Sequence, residues 1–187
     1  FGGLTPHAAV LVATVRALKH HGGVSKEHLG EENLPALKKG LPNLLHHLEN
    51  LTKRYGLPVV VAINRFPQDT EAELALIREE CAKLGASVAL SEVWAKGSEG
   101  GVELAEAVLN AIDEKENRFA PLYGDDLSLK EKVETVACQV YGADGVDFTP
   151  AAAKELSRLE ALGFGRFPVC MAKTQYSFSD DPAKLGW

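Results

Sequence analysis

Pro58-Val59-Val60-Val61-Ala62-Ile63, then Asn64-Arg65-Phe66-Pro67-Gln68-Asp69, then Thr70-Glu71-Ala72-Glu73: the fold is decided by how this stretch is read. Its opening run is short, unbroken and apolar, as a strand buried on both faces requires. Thr70 and Glu73 have the spacing of a capping box, in which each side chain satisfies the other's free backbone amide. The helix opened there extends to Leu84-Gly85, and Ala86 to Leu90 is a second short strand. Strand, helix and strand joined by short loops make a parallel pair with a right-handed crossover.

The same grammar extends both ways. Upstream, Ala8 to Ala13 is another apolar run of the doubly buried kind, followed by a connection or short helix over 14–23 and a polar loop over 24–32. From Asn33 to Tyr55, leucines at 34, 37, 41, 44, 45, 48 and 51 keep a helical period. Pro42 should kink or divide that helix, since proline removes a backbone donor, and Gly56 should end it. Downstream, glycines at 97, 100 and 101 precede an amphipathic helix with Val102, Ala105, Val108, Leu109 and Ile112 on one face. After a connector over 119–126, Ser128 and Glu131 form a second capping box, with a helix reaching Tyr141-Gly142. Thr149-Pro150 opens another helix, ending at Leu162-Gly163. Pro168 to Ala172 is the last expected strand, before a polar loop over 173–181. The fold expected is α/β, a mostly parallel sheet with right-handed βαβ crossovers.

The bulk properties narrow the partners. Net charge is −6 and pI about 5.5, with the charges interspersed. Nucleic-acid binding draws on dense basic patches, and no such run exists here. No apolar stretch approaches the roughly 20 residues of a membrane span. Cys81, Cys138 and Cys170 are odd in number and far apart, which suits a reducing cytoplasm rather than a disulfide framework or a zinc site.

In open α/β sheets, ligands bind beyond the carboxyl ends of the strands. Two loops meet that description side by side: Asn64-Arg65-Phe66-Pro67 and Ser91-Glu92-Val93-Trp94-Ala95-Lys96-Gly97. Neighbouring strands lie about 5 Å apart, so Phe66 and Trp94 project at one edge and can face each other across a slot for a flat ring. Large aromatics more often belong to a core. Here the polar neighbours Gln68, Asp69, Lys96, Ser98 and Glu99 argue for the slot. Asn64 to Pro67 has the asparagine of the NKxD loop that reads guanine in GTPases, but neither its lysine nor its aspartate. His20-His21 and His46-His47 are adjacent pairs whose side chains diverge by about 100° on a helix, so solvated faces are expected rather than metal ligation. Lys173-Thr174-Gln175 follows the last expected strand and either contacts a phosphate or carboxylate or is an exposed polar loop.

The stretch from Val59 to Gly101, VVVAINRFPQDTEAEL through VALSEVWAKGSEGG, closely resembles formate–tetrahydrofolate ligase. So do ATVRALKHHGG, YGADGVDFTP and PVCMAKTQYSFSDDP, in order along almost the whole chain. The resemblance implies part of a P-loop NTPase-like multidomain enzyme, divided by sequence as 1–56 (a strand plus helical segment of the nucleotide-binding domain), 57–118 (a βαβ folate-binding unit) and 119–187 (a helical and strand segment leading into the C-terminal part). It implies ATP-dependent formylation of tetrahydrofolate by formate through formyl phosphate, with ATP and Mg as cofactors of the complete, homo-oligomeric enzyme. In the family the folate ring lies between a phenylalanine and a tryptophan that match Phe66 and Trp94, and a leucine matching Leu90 lines the pocket. Glu92 and Lys96 would orient the polar edge of the pterin. The family's Walker-type loop lies upstream of the matched region, and no GxxxxGK[ST] occurs here. The chain is therefore expected to be a piece that holds folate and is inactive alone, the alternative being a non-catalytic folate-binding or interaction module. Trp187 stands where the resemblance leads one to expect a charged residue.

Overall fold

The protein is described by a computed structural model over residues 3–172, 178–179, 181 and 183–187. The chain divides into two compact units, Thr5–Phe119 with Gln175–Trp187, and Phe1–Leu4 with Ala120–Thr174. In the first, the order is β1 (Ala9–Ala13), α1 (Val15–His21), α2 (Leu34–Glu49), β2 (Val59–Asn64), α3 (Glu71–Lys83), β3 (Ser87–Ser91), α4 (Val93–Lys96) and α5 (Val102–Glu114). The second holds α6 (Leu129–Val140) and α7 (Pro150–Ala161). The sheet is parallel, in the order β1-β2-β3, with Ala13 opposite Ile63 and Asn64 opposite Ser91.

The apolar run of β2 is central because both of its faces are covered. Val59, Val61 and Ile63 join leucines of α1, α2 and α3 in the main core, whereas Val60 and Ala89 pack with Ala111 of α5. Both connections between sheet strands thus cross on one face, as right-handed crossovers in one direction require, and α5 covers the other. Thr70 and Glu73 form the capping box of α3, and Ser128 and Glu131 that of α6.

The helices α1 and α2 touch backbone to backbone. A Cβ on Gly40 would overlap the Leu18 carbonyl oxygen, and one on Gly22 would overlap that of Ala36. Beside this contact, the fully buried ammonium of Lys19 meets the fully buried carboxylate of Glu73 at 2.8 Å. Lys19 also donates to the Glu31 carbonyl, and Glu73 accepts from the Asn33 and Thr70 amides. Burial works against the charge on Glu73, yet Lys19 and the two amides together hold its carboxyl below the ordinary value. This contribution is therefore present at neutral pH and is lost as pH falls below 4.5 through the lowered folded value.

Several expectations are corrected. Val10 and Val12 are exposed, so β1 is not buried on both faces. They lie level with Val60 and Ala62, on the face where α5 packs over β2 and β3 only. Pro42 does not divide α2, which runs unbroken to Glu49 and passes into a π-turn over Asn50–Arg54. The core stripe of α5 is Leu104, Ala107, Val108 and Ala111, while Val102, Leu109 and Ile112 face outward. Both stripes have helical spacing. The alanines of the observed one allow a closer approach to the sheet. His46 and His47 are not a solvated face: Trp187 stacks on His46 at 3.6 Å between ring centroids, and Phe178 packs against both histidines.

In the second unit, Lys132 is fully buried and its ammonium donates to the carbonyls of Asp125, Gly165 and Phe167. These bonds join the connector before α6 to the turn after α7, and Glu160 adds a bond to the Leu129 amide. Pro168 to Ala172 is not a strand. The Val169 amide donates to the Tyr123 hydroxyl at 2.9 Å, and that hydroxyl donates back to the Val169 carbonyl at 3.4 Å. One side chain thus takes the place of a strand partner.

Two stability measurements test this packing. Gly40→Ala should destabilise the chain by about 1–3 kcal/mol in urea unfolding, although helix propensity alone would stabilise it by about 1 kcal/mol. Lys19→Met or Glu73→Leu alone should each cost roughly 3–5 kcal/mol, while the double variant recovers most of that loss. Additive single losses would contradict a mutually compensating buried pair.

Candidate functional site

All three strands point their carboxyl ends to one edge of the sheet, where each hands over to a loop or helix start. Past β2, the backbone keeps the ladder for one more residue, with the Arg65 amide donating to the Ser91 carbonyl at 3.1 Å. It then turns sharply. The Asp69 carboxylate accepts from the Phe66 amide at 2.8 Å, and the Asp69 amide donates to the Phe66 carbonyl at 3.0 Å. This reciprocal pair fixes the backbone that carries the Phe66 ring. Asp69 is buried, and burial pushes its carboxyl above the ordinary value despite the Phe66 amide.

Past β3, Glu92 leads into the single turn α4. The Trp94 indole donates from Nε1 to the Arg65 carbonyl at 2.9 Å. This bond joins the two aromatic loops, because the acceptor belongs to the residue immediately before Phe66. With its polar atom so engaged, the Trp94 side chain still leaves the residue 61% exposed, while Phe66 is half-buried. An indole held by its nitrogen and left open over its rings is a suitable stacking platform.

Charged groups surround the rings. Arg65 pairs with Glu71 at 2.7 Å and approaches Glu92 at 3.8 Å, and Lys96 pairs with Glu92 at 2.6 Å. The hydrogen bond from Lys96 holds the Glu92 carboxyl below its ordinary value. Asn64, the last residue of β2, is half-buried on the α5 side of the sheet, and its side chain has no hydrogen-bond partner among the described residues. Leu90 lies one residue inside β3 and packs against the main core. The structure therefore brings Asn64, Phe66, Glu92, Trp94 and Lys96 to one edge, with Leu90 just beneath. Lys173 lies outside the described residues.

Two participants escaped the sequence reading. Asp69 carries a local signal, an acidic residue three positions after the amide it caps. Arg16 carries none. It sits in α1, and its guanidinium lies over the Phe66 ring at 4.6 Å from the centroid while Nη2 donates to Gln68 Oε1 at 2.8 Å. Only tertiary structure joins positions so far apart in the chain.

A cavity of ≈ 200 Å³ lies at the opposite end of the sheet, lined by Pro58, Val59, Gly85, Ala86 and Lys115 among others. It borders the amino ends of β2 and β3, the end where open α/β sheets do not place ligands. Its Lys115 ammonium is spent on the Gly85 carbonyl. Among the described residues there is no group of three or more potential metal ligands and no helix long and apolar enough to cross a membrane.

The family model of formate–tetrahydrofolate ligase matches residues 1–187, so the chain belongs to the formate–tetrahydrofolate ligase family.

Proposed function

We propose that the edge formed by Phe66 and Trp94 holds the ring system of tetrahydrofolate during its ATP-dependent formylation. The supporting observation is the bond from the Trp94 indole to the Arg65 carbonyl, which couples the two aromatic loops while leaving the tryptophan open. Stacking of a flat heterocycle on such a ring contributes about 1–3 kcal/mol. Leu90 adds apolar support, and Asn64, Glu92 and Lys96 supply polar groups near the rings for the pterin edge.

In this reading the chain's own contribution is positioning. The folate amine must reach a labile formyl phosphate before water does, and a fixed ring shortens that search. ATP and Mg supply the activation of formate in the complete enzyme. The residues that cradle their phosphates do not match any stretch of this sequence, so the 187-residue chain should not make formyltetrahydrofolate alone.

The slot is tested by fluorescence in a Trp187→Phe background, where Trp94 is the only tryptophan. Phenylalanine preserves an aromatic partner for His46. Titration with 5-formyltetrahydrofolate should give saturable quenching, and Phe66→Ala should weaken the apparent affinity by about tenfold or more. Unfolding of Phe66→Ala without any ligand response in its parent would instead assign Phe66 to the core.

A further inference from the structure

We infer that Arg16 is an oxyanion-binding residue of this same edge, taking a carboxylate or phosphate group that accompanies the bound ring. The inference rests on the folate-slot reading above. β1 ends at Ala13, opposite Ile63 of β2, so the start of α1 reaches the same edge as the loop carrying Phe66. There the guanidinium lies over the Phe66 ring, and Nη2 is held by Gln68. A flat ligand stacking on Phe66 must use the opposite face of the ring, with the guanidinium directly behind it.

Charge bookkeeping distinguishes Arg16 from its neighbours. Arg65 has Glu71 and Glu92, Lys96 has Glu92, and Lys19 has Glu73. Among the described residues, Arg16 has no carboxylate within ion-pairing distance, and its side-chain partner is the neutral amide of Gln68. The neighbouring Asp69 directs its carboxylate to the Phe66 amide instead. Arg16 Nε is buried without a hydrogen-bond partner. A guanidinium has five N–H donors in a planar fork, and one is used here by Gln68. Arginine stacked on an aromatic face keeps its in-plane donors available, the arrangement suited to a planar or tetrahedral oxyanion. A permanently charged group with spare donors thus stands beside a ring slot, within electrostatic reach of Asp69 but not ion-paired with it.

Two sources share this chemistry: the glutamate carboxylates of a folate, and the phosphate group of the acyl phosphate or of inorganic phosphate. The test uses the Trp187→Phe chain with and without Arg16→Gln or Arg16→Lys, each first checked for folding by circular dichroism. The probes are 5-formyltetrahydrofolate, which carries carboxylates, and 6-methyltetrahydropterin, which carries no anion, each with and without inorganic phosphate. If the anion is the folate carboxylate, Arg16→Gln weakens 5-formyltetrahydrofolate about tenfold and leaves the pterin within about twofold, with Arg16→Lys between. If it is phosphate, inorganic phosphate tightens pterin binding in the parent chain and this gain disappears in Arg16→Gln. Equal weakening of both ligands without a phosphate effect would mean that Arg16 acts only by holding Phe66, and would overturn the inference. So would quenching that is indifferent to Arg16. Absence of quenching in the parent chain would remove the ring slot itself, and the anion site with it.

Discussion

The Glu73 carboxylate is the point on which most of the sheet-bearing unit depends. It takes the Lys19 ammonium from α1, the Asn33 amide at the start of α2 and the Thr70 amide at the start of α3. Three helix segments that leave different parts of the chain are thereby registered against one buried group. A buried charge is tolerable only when its partners are complete, so none of these segments can shift without exposing the deficit. The glycine contact between α1 and α2 adds a second constraint, because it allows no side chain at the point where the helices cross.

This hub bears on the candidate site because of where α1 and α3 begin. Both helices start at the carboxyl edge of the sheet, and each carries a residue next to the Phe66 loop. From α1 comes Arg16, over the ring. Just before α3 comes Asp69, which closes the turn on the Phe66 backbone. The third strand contributes Trp94, tied back through its indole nitrogen. The Phe66 loop is thus held from its own backbone, from α1 and from the β3 loop. Such multiple anchoring is what preorganised binding requires, since a ring left free to rotate would lose entropy on stacking.

Much of the architecture was legible in the sequence because its signals are local. The run from Val59 to Ile63 is a strand in any context that can bury both of its faces. The pairs Thr70/Glu73 and Ser128/Glu131 satisfy their own amides, and both boxes appear where the spacing put them. Readings that depended on what lies opposite fared differently. The α5 helix has two apolar stripes, and only the sheet surface could select the one with small residues. Pro168 to Ala172 has strand composition, but the Tyr123 hydroxyl occupies the backbone groups of Val169 that a neighbouring strand would use. The histidine pair at 46–47 looked polar in isolation and became part of an aromatic cluster through residues far along the chain.

By itself the sequence determined the order of the three sheet strands and the helices between them, their parallel arrangement, the family and the two aromatic loops at one edge, because apolar period, capping chemistry and motif are properties of neighbouring residues. Tertiary structure alone decided the rest: which face of α5 is buried, how Lys19 and Glu73 neutralise each other, and that Arg16 stands over Phe66 with a neutral side-chain partner. Those outcomes depend on distances between residues well separated in the chain. No local pattern encodes such distances, and packing sets them only when the whole sheet has formed.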